Sequence, residues 1–299
     1  MPTNEESVLD QRELQSLGVL LPIRLSPLSF FSGRHPLGRA GEGMRFLRTR
    51  PYESGQDNPR DIDKFSPPGE YRINEWEAEA QASVMIYADI SASMLFGPKA
   101  ALLHLTLLQL TYSLWRASDR VRTTLYHEAK QSVVAKRNLR SQLEQLIVEL
   151  RKVGRHVGRN AVDVLTEHGG NRQSVRDDLL FIVSDFCPPT AEAIADDFED
   201  WRKAIRFLPG DVVPVTISFE LAAGQRGAIR LWDAERRQHR LTLLTASRIA
   251  AINAAERARV EELEGRFRSL GLDYLVLRRD RDVYPEFARL ARWRRRRRN

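Results

Sequence analysis

The 299-residue chain contains a single cysteine, Cys187, and this scarcity excludes two kinds of structure. One cysteine cannot form a disulfide within the chain, and it cannot build the cysteine cluster of a structural zinc site. No apolar run approaches the ~20 residues of a membrane-spanning helix. The best candidate, 100–110, includes His104 and Gln109. The N-terminus shows no secretory signal, so we expect a cytoplasmic protein.

Excess positive charge is confined to the end of the chain. The net charge is +7, but Arg292 and the run 294–298 supply six positive charges within the last eight residues. Without them the net charge falls to +1, so we expect no specific nucleic-acid binding. The arginines fit three interpretations: a solvated, disordered end, weak attachment to an anionic membrane surface, or nonspecific contact with nucleic acid.

The hydropathy pattern predicts an α/β fold with a mostly parallel sheet and helices on both faces, because strands alternate with helices of 10–20 residues. Predicted strands are 84–89, 119–126, 132–136, 178–185, 211–219 and 273–277, with a hairpin over 228–244. Predicted helices are 99–117, 139–152, 160–168, 189–206, 246–270 and 284–293. Before them we expect an irregular or β arm, with glycines favouring a loop over 30–43 and strands at 44–52 and 72–79.

Acids and hydroxyls follow two of the predicted strands at the point where each strand ends. Asp89, Ser91 and Ser93 come directly after one buried strand, and Asp185 ends another. Ligands of open α/β sheets bind at the carboxyl ends of the strands, so these residues are expected to converge there. Hard oxygen ligands suit Mg²⁺. The alternative is that Asp89 to Ser93 simply cap the next helix.

This constellation resembles the metal-ion-dependent adhesion site of von Willebrand factor type A domains. Asp89, Ser91 and Ser93 match the first loop of that family's pattern, and Asp185 matches the third. The pattern has a threonine on its second loop, where this chain has Arg159 and Asn160. The resemblance implies a von Willebrand A-like, Rossmann-like fold. It also implies a site for Mg²⁺, or Ca²⁺ or Mn²⁺, with Asn160 as a ligand and one position left for a partner's acid.

A second motif precedes this domain and resembles the signature of the DUF58 family. Its matching residues within the stretch 41–63 include Arg50, Tyr52, Gly55, Asp57, Arg60 and Asp63. Gln56 and Lys64 depart from the signature. The motif residues either bind a partner or form a hydrogen-bonded network that pins the arm to the main domain. The resemblance implies a partnership with a MoxR-type AAA+ ATPase, in assembling or metallating a client such as methanol dehydrogenase.

The motifs together predict three parts: an arm with the DUF58 signature at 1–80, a von Willebrand A-like domain at 81–290 and a basic tail at 291–299. We expect a non-enzymatic adaptor that holds the ATPase or its client. The alternative is a metal-dependent hydrolase, which needs a base within reach of the site. No histidine is predicted beside the site at a strand end, and Cys187 is expected to be a packing residue.

Overall fold

The computed structural model describes most of the chain from residue 35 to residue 298. The described residues are 35–80, 82–94, 98–117, 119–127, 131–134, 138–152, 161–170, 179–187, 198–206, 208, 210–222, 224–233 and 238–298. Within them, strands and helices follow one another largely as the hydropathy pattern predicts. The predicted helix over 189–206 is described only from residue 198.

Ten strands and six α-helices lie within the described residues. The strands are β1 (His35–Pro51), β2 (Arg72–Ala80), β3 (Ser83–Asp89), β4 (Arg120–Tyr126), β5 (Gln131–Val134), β6 (Leu179–Ser184), β7 (Asp211–Ile217), β8 (Gly227–Asp233), β9 (Gln238–Leu244) and β10 (Leu275–Leu277). The helices are α1 (Pro98–Arg116), α2 (Leu139–Lys152), α3 (Ala161–Gly170), α4 (Phe198–Arg206), α5 (Ala246–Ser269) and α6 (Val283–Arg298). None of these helices is long and apolar enough to cross a membrane.

Six strands form one sheet in the order β10-β7-β6-β3-β4-β5. All neighbours pair in parallel except β5, which runs antiparallel to β4 at the edge. From β3 the chain first builds outward through β4 and β5, and then returns to the other side of β3 for β6. The direction of winding therefore changes between β3 and β6, which is where open α/β sheets leave a crevice at the carboxyl ends of their strands. The predicted α/β class is confirmed.

Alternating side chains of the central strands enter two separate cores. In β3, Ile86 lies in the core on one face, with Phe287 of α6 and residues of α1 and α2, whereas Tyr87 lies in the core on the other face. That second core contains Leu165 of α3 and Phe267 of α5. Successive side chains of a strand point to opposite faces, so strands covered on both sides are apolar throughout. This confirms the expectation of helices on both faces.

The N-terminal arm contains a long antiparallel pair, β1 with β2, and corrects one prediction. The glycine-rich stretch was expected to be a loop up to residue 43, but β1 is extended from His35 onward. Its register against β2 shifts between Pro36 and Ala40, again between Ala40 and Arg45, and once more after Phe46. Glycines within a strand often mark such shifts, because glycine adopts the backbone conformations that a bulge requires. The strands predicted at 44–52 and 72–79 are confirmed.

The basic end of the chain is helical, because α6 continues through Arg298 rather than ending near residue 293. Arg294 is buried at the amino ends of two strands, where its Nε donates to Asp273 at 2.5 Å and its Nη2 donates to Asp211 at 2.8 Å. Arg292, two residues earlier, is exposed. A wholly solvated, disordered end is therefore wrong for this segment, and Arg294 is part of the fold.

We expect Arg294→Met to lower the free energy of unfolding by about 3 kcal/mol. This is the lower end of the usual range for breaking a buried ion pair, since Asp211 is one-third exposed and Asp273 is nearly buried. Arg292→Met is the matched control and should change stability by no more than about 0.5 kcal/mol. Denaturant unfolding of the three proteins measures both values, and equal losses for the two variants would contradict the role of Arg294.

Candidate functional site

The first part of the site is the turn that follows β3. The Asp89 carboxylate is buried, and its Oδ1 accepts a hydrogen bond from the backbone N–H of Ser91 at 2.9 Å. The hydroxyls of Ser91 and Ser93 are hydrogen-bonded at 3.0 Å, and the N–H of Met94 donates to the carbonyl of Ser91. Helix α1 begins only at Pro98, so Asp89 organises its own turn and does not cap that helix.

Asp185 meets this turn from the neighbouring strand. In the parallel pairing of β3 with β6, Ala88 lies opposite Val183, so both strands deliver an acid to the same edge. Ser184 joins the two strand ends directly, because its hydroxyl donates to Asp89 Oδ2 at 2.8 Å. The structure thus brings Asp89, Ser91, Ser93 and Asp185 to one edge, as expected. Ser184 was not predicted, although its place beside Asp185 was a signal for it.

Lys99 is a further residue of the site that the sequence motif does not include. Its Nζ donates to Asp185 Oδ2 at 2.7 Å, and both side chains are buried. Lys99 lies in the first turn of α1, which contains no acid. A cation there opposes the helix dipole and is unfavourable unless a nearby anion compensates for it. That unusual position is the signal by which the sequence could have identified Lys99 as a partner of a buried acid.

Helix α5 adds a further polar cluster to the same edge. Arg259 donates from Nη1 to the backbone carbonyl of Asp185 at 2.5 Å, and forms two hydrogen bonds to the Glu256 carboxylate. Glu256 in turn accepts from the hydroxyl of Ser218, which directly follows β7. No local motif marks Arg259 and Glu256, because only the packing of α5 brings them to the strand ends. The edge is therefore held by residues from three strands and two helices.

Burial and the neighbouring charges separate the two carboxylates in their proton affinity. Burial raises the pKa of Asp89 to about 7, and the negative charge of Asp185 adds to the rise. Burial would also raise the pKa of Asp185, but the ammonium of Lys99 outweighs it and holds that pKa below its ordinary value. For Lys99, burial alone would lower the pKa, and Asp185 reverses the sign. Near neutral pH, Asp185 and Lys99 are therefore a charged pair. The Asp89 carboxyl, with its pKa of about 7, is protonated in part of the molecules and ionised in the rest.

These residues do not fit a divalent cation held between the two carboxylates. The 3.0 Å between the Ser91 and Ser93 hydroxyls suits two adjacent ligands of Mg²⁺, which lie about 3.0 Å apart when each bond is about 2.1 Å. Both oxygens of Asp89 and both of Asp185 are already hydrogen-bonded, and one of these bonds comes from the Lys99 cation. Within the described residues, no group of three or more His, Cys, Asp or Glu side chains could hold a metal. Asn160 lies outside the described residues.

The motif residues of the arm form a network within the arm itself. Arg50 binds both oxygens of Asp57 through Nη1 and Nη2, at 2.7 and 2.5 Å, and its Nε donates to Glu75 of β2 at 2.6 Å. Arg48 also donates to Glu75. Glu75 was not predicted, since it lies outside the motif. These contacts of Arg50 join β1, the turn at Asp57 and β2, so they stabilise this hairpin rather than its attachment to the main domain.

The other predicted residues of the arm make local contacts, in turns or across the hairpin. Tyr52 donates its backbone N–H to Tyr71, and Gly55 has a φ of +87° in the turn before Asp57, a conformation that favours glycine. Asp63 accepts from the N–H of Phe65, whereas Arg60 is exposed and its N–H donates to the Asn58 side chain. These contacts explain the residues as turn formers, and Arg60 has an exposed side chain that a partner could reach.

Asp89 should make stability fall as the pH rises from about 4 to about 7. The unfolded carboxyl loses its proton near pH ~3.9, but the folded one keeps it until about 7. The folded state therefore binds the extra proton in this window, and the slope reaches about 1.4 kcal/mol for each pH unit. The lowered pKa of Asp185 acts below this window, where stability is lost as the pH falls.

Asp89→Asn should flatten the profile between pH 4 and pH 7, because the neutral amide keeps the shape and has no proton to lose. The measurement is the free energy of unfolding of both proteins across that range. Asp163→Asn, which changes an exposed acid of α3, is the control and should retain the wild-type profile. A constant difference between wild type and Asp89→Asn at every pH would show that Asp89 does not titrate in this window.

Several solved structures resemble this chain. An aerotolerance-related membrane protein from Bacteroides fragilis NCTC 9343 is 13% identical, covers 71% of this chain and 99% of its own, and has a TM-score of 0.41. A von Willebrand factor type A protein from Catenulispora acidiphila is 10% identical, covering 72% of this chain and 43% of its own at a TM-score of 0.38. Proximal thread matrix protein 1 from the mussel byssus, which has a zinc-occupied MIDAS motif, is 8% identical and covers 71% and 47% at a TM-score of 0.39.

These likenesses are low in identity and in TM-score, and the chain spans less than half of the last two proteins. Comparison with curated proteins found no match. A family model gives a firmer result: the model described as "Protein of unknown function DUF58" matches residues 48–262. This match covers well over half of the chain and includes both the Arg50–Asp57 motif and the Asp89–Asp185 edge. The chain therefore belongs to the DUF58 family.

Proposed function

We propose that this chain is a non-enzymatic binding protein whose partner docks on the carboxyl edge of the sheet. The observation that carries the proposal is the convergence of two distant segments, 83–94 and 179–187, on one polar edge at the point where the winding of the sheet changes direction. Of the serine pair, Ser91 is buried and Ser93 is exposed. The turn therefore presents a hydroxyl to solvent on a base that is fixed by hydrogen bonds.

Several polar groups surround this edge and suit a protein partner. Arg257 and Glu220 form an exposed ion pair at 2.8 Å, at the start of the segment that follows β7. Asn253 of α5 holds that segment through two hydrogen bonds with the backbone of Leu221. A rigid surface with polar groups at its rim is typical of protein–protein interfaces, because rigid groups lose little conformational freedom on binding.

The partner that we propose is a MoxR-type AAA+ ATPase or a client that such an ATPase assembles or metallates, for example methanol dehydrogenase. Support comes from the DUF58 membership and from the resemblance of residues 41–63 to the family signature. A metal-bridged contact with an acid of the partner is the form that the adhesion-site resemblance implies. The Lys99–Asp185 pair opposes that form, so docking through the serine hydroxyls and backbone is the version that we propose.

One observation keeps a hydrolase as the alternative. The expectation that no histidine lies at a strand end beside the site is wrong, since His127 directly follows β4 and Tyr126 pairs with Asp89. His127 is buried at the same edge. Cys187, by contrast, is a poor nucleophile, because burial raises the pKa of its thiol to about 12 and the charge of Asp185 adds to this. Turnover of phosphate or ester substrates that is lost in Ser91→Ala would replace the binding proposal with this alternative.

Ser93→Arg should weaken binding of the partner about tenfold or more, because it places a long charged side chain in the centre of the proposed docking surface. The first probe is the purified MoxR-type ATPase of the same organism, with binding followed by surface plasmon resonance. Ser269→Arg is the matched control, since it adds the same charge at an exposed serine at the far end of α5. It should bind like wild type.

The outcomes of this experiment separate the parts of the proposal. Equal binding by Ser93→Arg and Ser269→Arg would show that the ATPase docks elsewhere on the chain. A wild-type protein that does not bind the ATPase would contradict the choice of partner. Binding that is unchanged by EDTA would favour docking through hydroxyls, whereas loss of binding in EDTA would restore the metal-bridged form.

A further inference from the structure

Lys99 forms an ion pair with Asp185, the carboxylate that the adhesion-site resemblance assigns to a metal ion. The Asp185 carboxylate is fully buried, and Lys99 has only 8% of its surface exposed. Its ammonium is 2.7 Å from Asp185 Oδ2, while Asp185 Oδ1 accepts from the N–H of Cys187 at 3.0 Å. Both oxygens of this buried carboxylate thus accept a hydrogen bond, and a metal that bound Oδ2 would lie close to the Lys99 ammonium, where like charges repel.

The charges around the edge also oppose the binding of a divalent cation. Asp89, Asp185 and Glu256 are the acids, while Lys99 and Arg259 are the bases, which leaves a formal net charge of −1 when all are ionised. A divalent cation would reverse the sign and leave a net positive charge in a buried place, which is costly. A dication is balanced only by an excess of two negative charges, and this edge has an excess of one.

The position of Lys99 in the fold indicates a specific role rather than an incidental ion pair. Helix α1 carries its neighbouring apolar residues into the core, so the ammonium is held rigidly over the strand ends. Lys99 also lies 6.0 Å from the centre of the Phe219 ring, a distance at which a cation and an aromatic face attract. Helix α1 and the Phe219 ring, which lies in the segment after β7, thus hold the ammonium in place, as ligands would hold a metal ion.

We infer that the ammonium of Lys99 serves as a built-in substitute for the divalent cation at this edge, so that the chain keeps the adhesion-site arrangement without binding a metal. The substitution deprives Asp185 of its capacity as a metal ligand and leaves the Ser91–Ser93 pair to bind by hydrogen bonds alone. This inference concerns metal binding by the chain itself and does not depend on the identity of a partner.

The test uses Mn²⁺ alone as the probe, with the free ion measured by electron paramagnetic resonance. Wild type should show no binding that depends on Asp89. Lys99→Met removes the charge but keeps most of the length of the side chain, and should bind Mn²⁺ about tenfold or more tightly than wild type. The matched control, Lys203→Met, removes an exposed lysine of α4 and should behave like wild type. Adding Asp185→Asn to Lys99→Met should abolish the gain.

The other outcomes overturn the inference in different ways. Wild-type binding of Mn²⁺ that is lost in Asp89→Asn would show that the site accepts a metal despite Lys99. Absence of binding in both wild type and folded Lys99→Met would show that Lys99 is a structural ion pair only. If Lys99→Met does not fold, Lys99→Gln serves in its place, because its amide still donates to Asp185 without a charge. Thermal unfolding with millimolar Mg²⁺ or EDTA provides an independent readout.

Discussion

Two buried carboxylates at the ends of neighbouring strands are the constraint on which the carboxyl edge depends. Asp89 and Asp185 are almost fully removed from water, and two like charges so placed cannot both remain uncompensated. The two carboxylates are stabilised by different kinds of hydrogen-bond donor. Asp89 receives neutral donors from Ser91 and Ser184, whereas Asp185 receives the charge of Lys99. The remaining features of the edge follow from this division.

The partner of Asp185 also connects the site to the rest of the fold. Because Lys99 belongs to the first turn of α1, the ion pair joins that helix to the end of β6, and Arg259 joins α5 to the same strand end through a backbone carbonyl. Both helices pack on opposite faces of the sheet. The edge is therefore braced from both sides, which gives an exposed residue such as Ser93 a rigid base.

The convergence of the site was predictable because it depends on strand order and direction. Apolar runs ending in Asp89 and Asp185 indicate buried parallel strands, and parallel strands bring their carboxyl ends together. The arm was less predictable, since the glycines before residue 44 favour a loop locally, yet pairing with β2 keeps the chain extended. His127 was missed for a similar reason: its position beside the site depends on the register of β4 against β3.

The sequence by itself determined the α/β class, the positions of most strands and helices, and the four residues Asp89, Ser91, Ser93 and Asp185. Local patterns suffice for these features, because a buried strand is an apolar run of consecutive residues and its end is the polar residue that follows. Only the tertiary structure decided the electrostatic character of the edge. Lys99, Glu256 and Arg259 come from helices whose packing alone brings them there. A motif can therefore name the possible ligands of a site, but the charges that surround them depend on contacts between distant elements.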